Sequence, residues 1–343
     1  AALATACSGG SSPGTGAPPP PLTYDGSLTF TNDVAEAGVE SVGFGRGSAM
    51  VDLDRDGLLD LVNANAMMRN DIFRQLPGMV FEDVSDAWGI VDDMRAHWGI
   101  LAADYDNDGD DDLFVVNGGW TSPQPNQLLR NDLDELATFT DVSLVAGDVT
   151  KVSTSFSGAA LDYDNDGRLD VFCTDSKIDR PNMLLHNEGQ LAFADVTFRA
   201  GLGLPYSGMC SSSGDFDNDG WIDVAVGNFT GPSSLFRNQG DGTFADVAQA
   251  AGIGHADLNF GLVLEDFNND GWLDLFLPKW DEQGAGQPSR LYVNLGDGTF
   301  VDATAEAGMK VTTAMGHNTG DLDGDGYPDI LIGTGSPNGA DLD

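Results

Sequence analysis

The 343-residue chain carries 55 Asp and Glu against 15 Lys and Arg, a formal net charge of −40. That balance excludes the basic face a nucleic-acid binder needs and disfavours an anionic membrane surface as partner, while 41% hydrophobic residues are too many for a disordered acidic chain. With 45 Gly and no long helical pattern, the composition indicates a turn-rich all-β fold.

Residues 1–20 come first, a Gly/Pro/Ser-rich arm or tether without strand or helix pattern, ahead of one folded domain over residues 21–343. Ala4-Thr5-Ala6-Cys7 followed by SGGSSPGTGAPPPP resembles the end of a bacterial lipoprotein signal. Leucine stands at Leu3 rather than three residues before the cysteine, a departure from that signal. Export to the cell surface or extracellular space is expected; the one membrane link the sequence offers is a lipid at Cys7, and the displaced leucine argues against it. No apolar run approaches the roughly 18 residues of a membrane span. Cys7, Cys173 and Cys210 are too few for a disulfide framework; Cys173 and Cys210 either pair or remain two buried thiols.

A nine-residue string, DxDxDGxxD, then occurs five times, as DLDRDGLLD, DYDNDGDDD, DYDNDGRLD, DFDNDGWID and DLDGDGYPD, with a sixth copy, DFNNDGWLD, carrying Asn268 at the third position. Position 1 is Asp52, Asp104, Asp162, Asp215, Asp266 and Asp321. Position 3 is Asp54, Asp106, Asp164, Asp217, Asn268 and Asp323. Position 5 is Asp56, Asp108, Asp166, Asp219, Asp270 and Asp325. Position 7 is Leu58, Asp110, Arg168, Trp221, Trp272 and Tyr327, and position 9 is Asp60, Asp112, Asp170, Asp223, Asp274 and Asp329. Oxygens from positions 1, 3, 5 and 9, with the backbone carbonyl of position 7, can converge on one ion around the turn that glycine permits at position 6. An all-oxygen, carboxylate-rich cage selects calcium, so about six Ca2+ ions are expected. They would move the net charge from −40 to about −28. The competing reading is that the aspartates only close Asx turns.

Around each loop the pattern repeats. A short strand leads in, an apolar strand such as DLFVVN leads out, a third such as NQLLRN follows, and a turn such as NQGDGTF opens a fourth. A second recurring element, exemplified by GTFADVAQAAG, carries an aromatic-x-Asp core and ends at a glycine. Four strands per unit of roughly 50 residues is a propeller blade. The last unit stops after two strands, and Leu22–Phe30 aligns with the missing third and fourth. The expected fold is therefore a six-bladed β-propeller closed by pairing of its terminal segments, the alternative being part of a seven-bladed one.

These residues resemble the FG-GAP/VCBS repeat propellers, a family that includes integrin α-subunit heads, cartilage-acidic-protein-like chains and secreted bacterial proteins. An apolar and a small residue precede the loops at Trp98-Gly99, Phe156-Ser157, Met209-Cys210, Phe260-Gly261 and Met315-Gly316, as in that family, with Arg46-Gly47 departing. The resemblance covers Leu22 to Asp343 and implies calcium binding. Its members span adhesins, receptor heads, scaffolds and a few polysaccharide lyases or lectins.

No constellation for catalysis is apparent. His97, His186, His255 and His317 share no register, and no GxSxG, HExxH or phosphate-binding loop occurs. Trp98, Trp120, Trp221, Trp272 and Trp280 could form a sugar platform or pack between blades. The expectation is a non-enzymatic structural subunit that self-assembles into a surface or extracellular polymer through the arm. The alternative is a tethered adhesin recognising an extracellular protein or glycan, and a lyase or lectin stands behind both.

Overall fold

The computed structural model describes residues 37–39, 45–91, 94–120, 123–177, 179–203, 207–254, 259–279, 288–312 and 314–334. The arm, Cys7, Leu22–Phe30, Trp280 and His255 lie outside the described residues.

The fold is all-β. Five repeats each form a four-stranded antiparallel sheet in simple meander order. In the second repeat the strands are His97–Ala103, Asp112–Asn117, Gln127–Asp132 and Thr138–Asp141. In the third they are Ser155–Leu161, Asp170–Asp175, Met183–Asn187 and Phe193–Asp195. The aspartate loop joins the first strand to the second each time, as read from sequence. Two third-to-fourth connections are the expected tight turns, closed by Gln239 N–H to Thr243 O and Leu295 N–H to Thr299 O. The second repeat differs, since Leu133–Leu136 forms a single helical turn there. The sixth repeat contributes two strands, Ala314–Gly320 and Asp329–Thr334.

The second strands explain how the sheets stack. Leu113, Phe114, Val115 and Val116 are all essentially inaccessible, and successive side chains of a strand face opposite ways. Leu113 and Val115 enter the core shared with the first repeat, whereas Phe114 and Val116 enter the core shared with the third. The same division recurs at Val171 and Cys173 against Phe172, and at Leu275 and Leu277 against Phe276. The second to fifth sheets are therefore each sandwiched by their neighbours, and burying each such large side chain contributes about 1.5–3 kcal/mol. Cys173 and Cys210 sit in different cores and are free, so the pairing considered from sequence does not form. Burial pushes both thiols up to about 12.

The row of sheets curves. First strands of successive repeats pack against one another from Gly45–Val51 through Val263–Glu265. At the strand ends remote from the loops, Trp120 of the second repeat meets Phe156 of the third, Phe229 of the fourth and Phe260 of the fifth, with centroids 5.0 to 5.9 Å apart. Only a row bent around an axis brings non-adjacent repeats together in this way. Gly119 makes the approach possible: at φ +57° its missing side chain leaves room for the Trp98 indole.

Candidate metal centres

The loop conformation follows from its own side chains. Position 1 accepts two backbone N–H groups: in the third repeat, Asp166 N–H bonds Asp162 Oδ1 at 3.0 Å and Gly167 N–H bonds Oδ2 at 2.9 Å. The same pair recurs in every loop, for example at Asp52, Asp215 and Asp321. Position 5 accepts the N–H of position 7, as Asp219 does from Trp221 at 3.0 Å. Asx turns therefore do form, but they use only part of each carboxylate. At Gly167, with φ +84°, a Cβ would meet no atom within 4 Å, so backbone conformation rather than crowding demands glycine at position 6.

Position 9 is more deeply committed than sequence indicated. Asp223 is wholly buried, its Oδ2 accepting Phe216 N–H at 3.0 Å and its Oδ1 accepting Asn238 N–H at 2.8 Å. Asp60, Asp112, Asp170 and Asp274 repeat both bonds, and Asp329 receives the first from Leu322. Burial raises these carboxyls against the lowering effect of the N–H donors: Asp60 to about 6, Asp274 to about 7, and Asp112 and Asp223 to about 8. A cation at the loop would oppose that rise.

Position 3 carries the clearest sign of a cation. The Oδ1 atoms of Asp106, Asp164 and Asp217 are buried and have no hydrogen-bond donor. Desolvation first, then the negative charge of the position 5 carboxylate, raises all three carboxyls. Asp110 at position 7 brings a further orphaned oxygen to the second loop, and burial, then the Asp108 carboxylate, raises its carboxyl to about 6. Ligand-capable oxygens of Asp52, Asp54 and Asp60, of Asp104, Asp106 and Asp108, of Asp162, Asp164 and Asp166, and of Asp215, Asp217 and Asp223 lie within 4.8 Å of one another in each group. These acidic clusters can bind metal ions, and an all-oxygen donor set fits calcium.

Three features escaped sequence reading. First, position 4 holds Arg55, Asn107, Asn165, Asn218 and Asn269 at φ 56 to 60°, a left-handed conformation that asparagine tolerates. Each asparagine donates its Nδ2 to the position 6 carbonyl of the next loop: Asn107 to Gly167, Asn165 to Gly220, Asn218 to Gly271 and Asn269 to Gly326. Second, the asparagine near the end of the third strand reaches back. Buried Asn131, Asn187, Asn238 and Asn294 donate to the position 2 carbonyls of the preceding loops, Leu53, Tyr105, Tyr163 and Phe216, at 2.7 to 3.0 Å. Loops of adjacent repeats are thus clasped from both sides. The recurring N at these places was the available signal.

The third feature is the residue just before that strand-three position. Arg74 places Nε 2.5 Å from Asp54 Oδ2, and Arg237 places Nε 2.7 Å from Asp217 Oδ2. His186 occupies the same register in the third repeat, beside Asp164 and Asp170. The other described histidines lie elsewhere: His97 is buried against Asn117 Oδ1 at 2.8 Å, and His317 packs on Phe276. Of the tryptophans, Trp221 and Trp272 lie against the turn glycines Gly240 and Gly296 of their own repeats, which is packing and not a shared platform. Trp98 and Trp120 join the ring cluster at the opposite end.

The FG-GAP-like repeat model matches residues 52–115, 215–277 and 282–332, more than half of the sequence and including five of the six loops. The chain belongs to the FG-GAP-like repeat family. Mouse (Mus musculus) cartilage acidic protein 1 is 27% identical over 273 residues, covering 73% of this chain and 41% of the relative. The chain thus spans about two fifths of the length of the curated relatives it matches. Among solved structures, BBS1N in complex with ARL6DN aligns with a TM-score of 0.51 at 11% identity, over 87% of this chain and 77% of that one. The V. cholerae biofilm matrix protein Bap1 aligns at 0.44 and 17%, over 75% and 39%. The FG-GAP-like repeats of this chain are the units whose loops carry the acidic clusters. Among the described residues, no helix is long and apolar enough to cross a membrane.

Proposed function

We propose that the protein is a non-enzymatic, exported, calcium-loaded six-bladed propeller that serves as a structural subunit of a surface or extracellular polymer, with residues 1–20 joining one copy to the next. The observation that carries the calcium reading is the set of buried position 3 oxygens without donors at Asp106, Asp164 and Asp217. A buried carboxylate oxygen without a donor is costly, and a divalent ion removes that cost. The two-way asparagine clasps support a load-bearing role, because an ion in one loop stiffens the loops on either side. Six repeats and the curvature of the sheet row support six blades. Kinship with a protein named for cartilage supports an extracellular setting. Sedimentation of the full chain with calcium, with chelator, and after removal of residues 1–20 tests the reading. Calcium-dependent assembly lost on removing the arm is expected; a monomer at high concentration in calcium would reject it.

The ring cluster favours a second reading, a tethered recognition module for an extracellular protein or glycan. Trp120 is 43% exposed although it contacts three phenylalanines, and exposed aromatic surface is a recurrent binding element. Trp120→Ala would then abolish partner capture without altering the melting temperature, whereas the polymer reading expects no change in assembly.

A further inference from the structure

We propose that the third loop is a mixed nitrogen–oxygen site for a divalent first-row transition ion such as Zn2+, with His186 as its nitrogen ligand, while the remaining loops stay all-oxygen. The inference rests on the reading of the loops as cation sites and changes the class of ion at one of them.

The repeats supply the comparison internally. At the register of His186 stand Arg74, Arg130, Arg237 and Val293. In the first and fourth repeats the guanidinium lies on the position 3 carboxylate. A guanidinium has no lone pair to give a metal, so it can only neutralise charge there. An imidazole nitrogen in the same place can ligate. In the fifth repeat Val293 stands where position 3 is Asn268, so the base and the acid disappear together. In the second repeat Arg130 turns to Asp132 instead, so the match between the strand-three residue and its own loop holds in the first, fourth and fifth repeats.

The distances suit the assignment. His186 Nδ1 is 3.6 Å from Asp164 Oδ2 and 3.0 Å from Asp170 Oδ1, and one ligand atom from each of the three residues lies within 4.8 Å of the others. Two ligands about 2.0–2.1 Å from a tetrahedral ion sit about 3.3 Å apart, which the two measured separations bracket. Asp170 Oδ1 accepts Asn187 N–H and is within hydrogen-bond distance of His186 Nδ1 at 3.0 Å, a contact that an ion between the two would replace, while Oδ2 accepts Tyr163 N–H and keeps a lone pair. Asp164 Oδ1 has no donor at all. Tyr163 stands edge-on to the imidazole at 5.8 Å and limits its rotation. An N,O,O set suits zinc, cobalt, nickel or copper far better than an all-carboxylate cage does. Ligation requires the lone pair on Nδ1 and puts the ring proton on Nε2.

The test uses the full chain without a histidine tag, in excess calcium, titrated with Co2+ as the optical probe and then competed with Zn2+. One Co2+ per chain should be retained after desalting, with visible d–d absorption, and Zn2+ should displace it. Cu2+ in the same position should show nitrogen superhyperfine structure in its electron paramagnetic resonance spectrum. His186→Arg, which the fold accepts at this register in three sister repeats, and His186→Asn should each lose that equivalent. Cobalt retained by both variants, or none retained by the wild type, overturns the proposal. Calcium uptake is measured separately: a wild type that binds calcium but no cobalt overturns this inference alone, and one that binds neither overturns the loop reading as well.

Discussion

Asp217 and Asp223 share a loop six residues apart, yet their carboxylates do different work. Asp223 holds two buried backbone N–H groups, each costing about 1–3 kcal/mol if left unpaired. Asp223→Ala should therefore destabilise by about 2–6 kcal/mol even in chelator, read by urea denaturation. Asp217 Oδ1 has no donor and its Oδ2 meets only the half-exposed Arg237, a pairing worth about 0–1 kcal/mol, so Asp217→Ala should change stability by no more than that in chelator. In calcium it should forfeit that ion's share, ~1.4 kcal/mol at tenfold saturation. Equal losses for Asp217→Ala in both buffers would remove the cation from the account. His317 gives a pH signature of its own. Burial lowers its imidazole from the usual 6.5, partly offset by a backbone hydrogen bond with Leu262. The native state then resists protonation, so its contribution is complete above about pH 6.5 and declines as pH falls below it. With calcium saturating, His317→Phe should flatten the melting temperature between about pH 6.5 and 5; an unchanged slope would show that His317 does not titrate against the fold.

Between elements, stability depends on side chains that belong to one repeat and bond in another. Asn238 donates to Tyr163 O and Ile222 O and accepts from Gly240 N–H, so Asn238→Ala strands three buried or half-buried groups. A loss of about 2–4 kcal/mol is expected, with the melting transition staying single. Asn218→Gly is gentler. It preserves the positive φ at position 4 but drops the bond to Gly271 O, an exposed contact worth less than about 1 kcal/mol. Its expected effect lies in coupling: a shallower calcium-binding curve at near-unchanged stability, measured by calorimetric titration. Identical curves for Asn218→Gly and wild type would show that the clasp carries no signal between loops. A further weld runs along the fourth strands, where Phe193 N–H bonds Ala146 O and Phe244 N–H bonds Ala200 O of the preceding repeat. That explains the recurring aromatic-x-Asp element and its terminal glycine.

Across the whole molecule, charge and closure dominate. A chain of net charge −40 repels itself, and six ions at tenfold saturation would add roughly 8 kcal/mol, comparable with the ~5–15 kcal/mol of an entire domain. Excess chelator should lower the melting temperature sharply, and an unchanged melt would reject calcium as a structural component. Closure is the other requirement. The sixth sheet has two strands among the described residues, with Leu331 half exposed, and an open sheet edge templates aggregation. Deleting residues 1–30 should therefore cause aggregation or a broadened transition. A deletion that melts like the full chain would favour seven blades or a longer chain over closure by Leu22–Phe30.

Repeat number, strand order and loop chemistry were all legible in the linear text, because period, apolar alternation and the DxDxDGxxD spacing are local properties that each repeat restates. Sequence alone also found the turn glycines, since positive φ is a demand of a few adjacent residues. What a side chain does across a repeat boundary is not local. Nothing in NQLLRN says that Asn131 will reach Leu53 O, 78 residues earlier. Nothing in NMLLHN says that His186 will stand beside Asp164, because that proximity exists only after the third strand pairs with the second. The fate of Cys173 and Cys210 was likewise open until alternating faces of neighbouring strands sent them into separate cores. The four Asp-rich positions determined that the loops can hold cations; the packing of one sheet on the next decided which oxygens are already occupied and which remain for an ion.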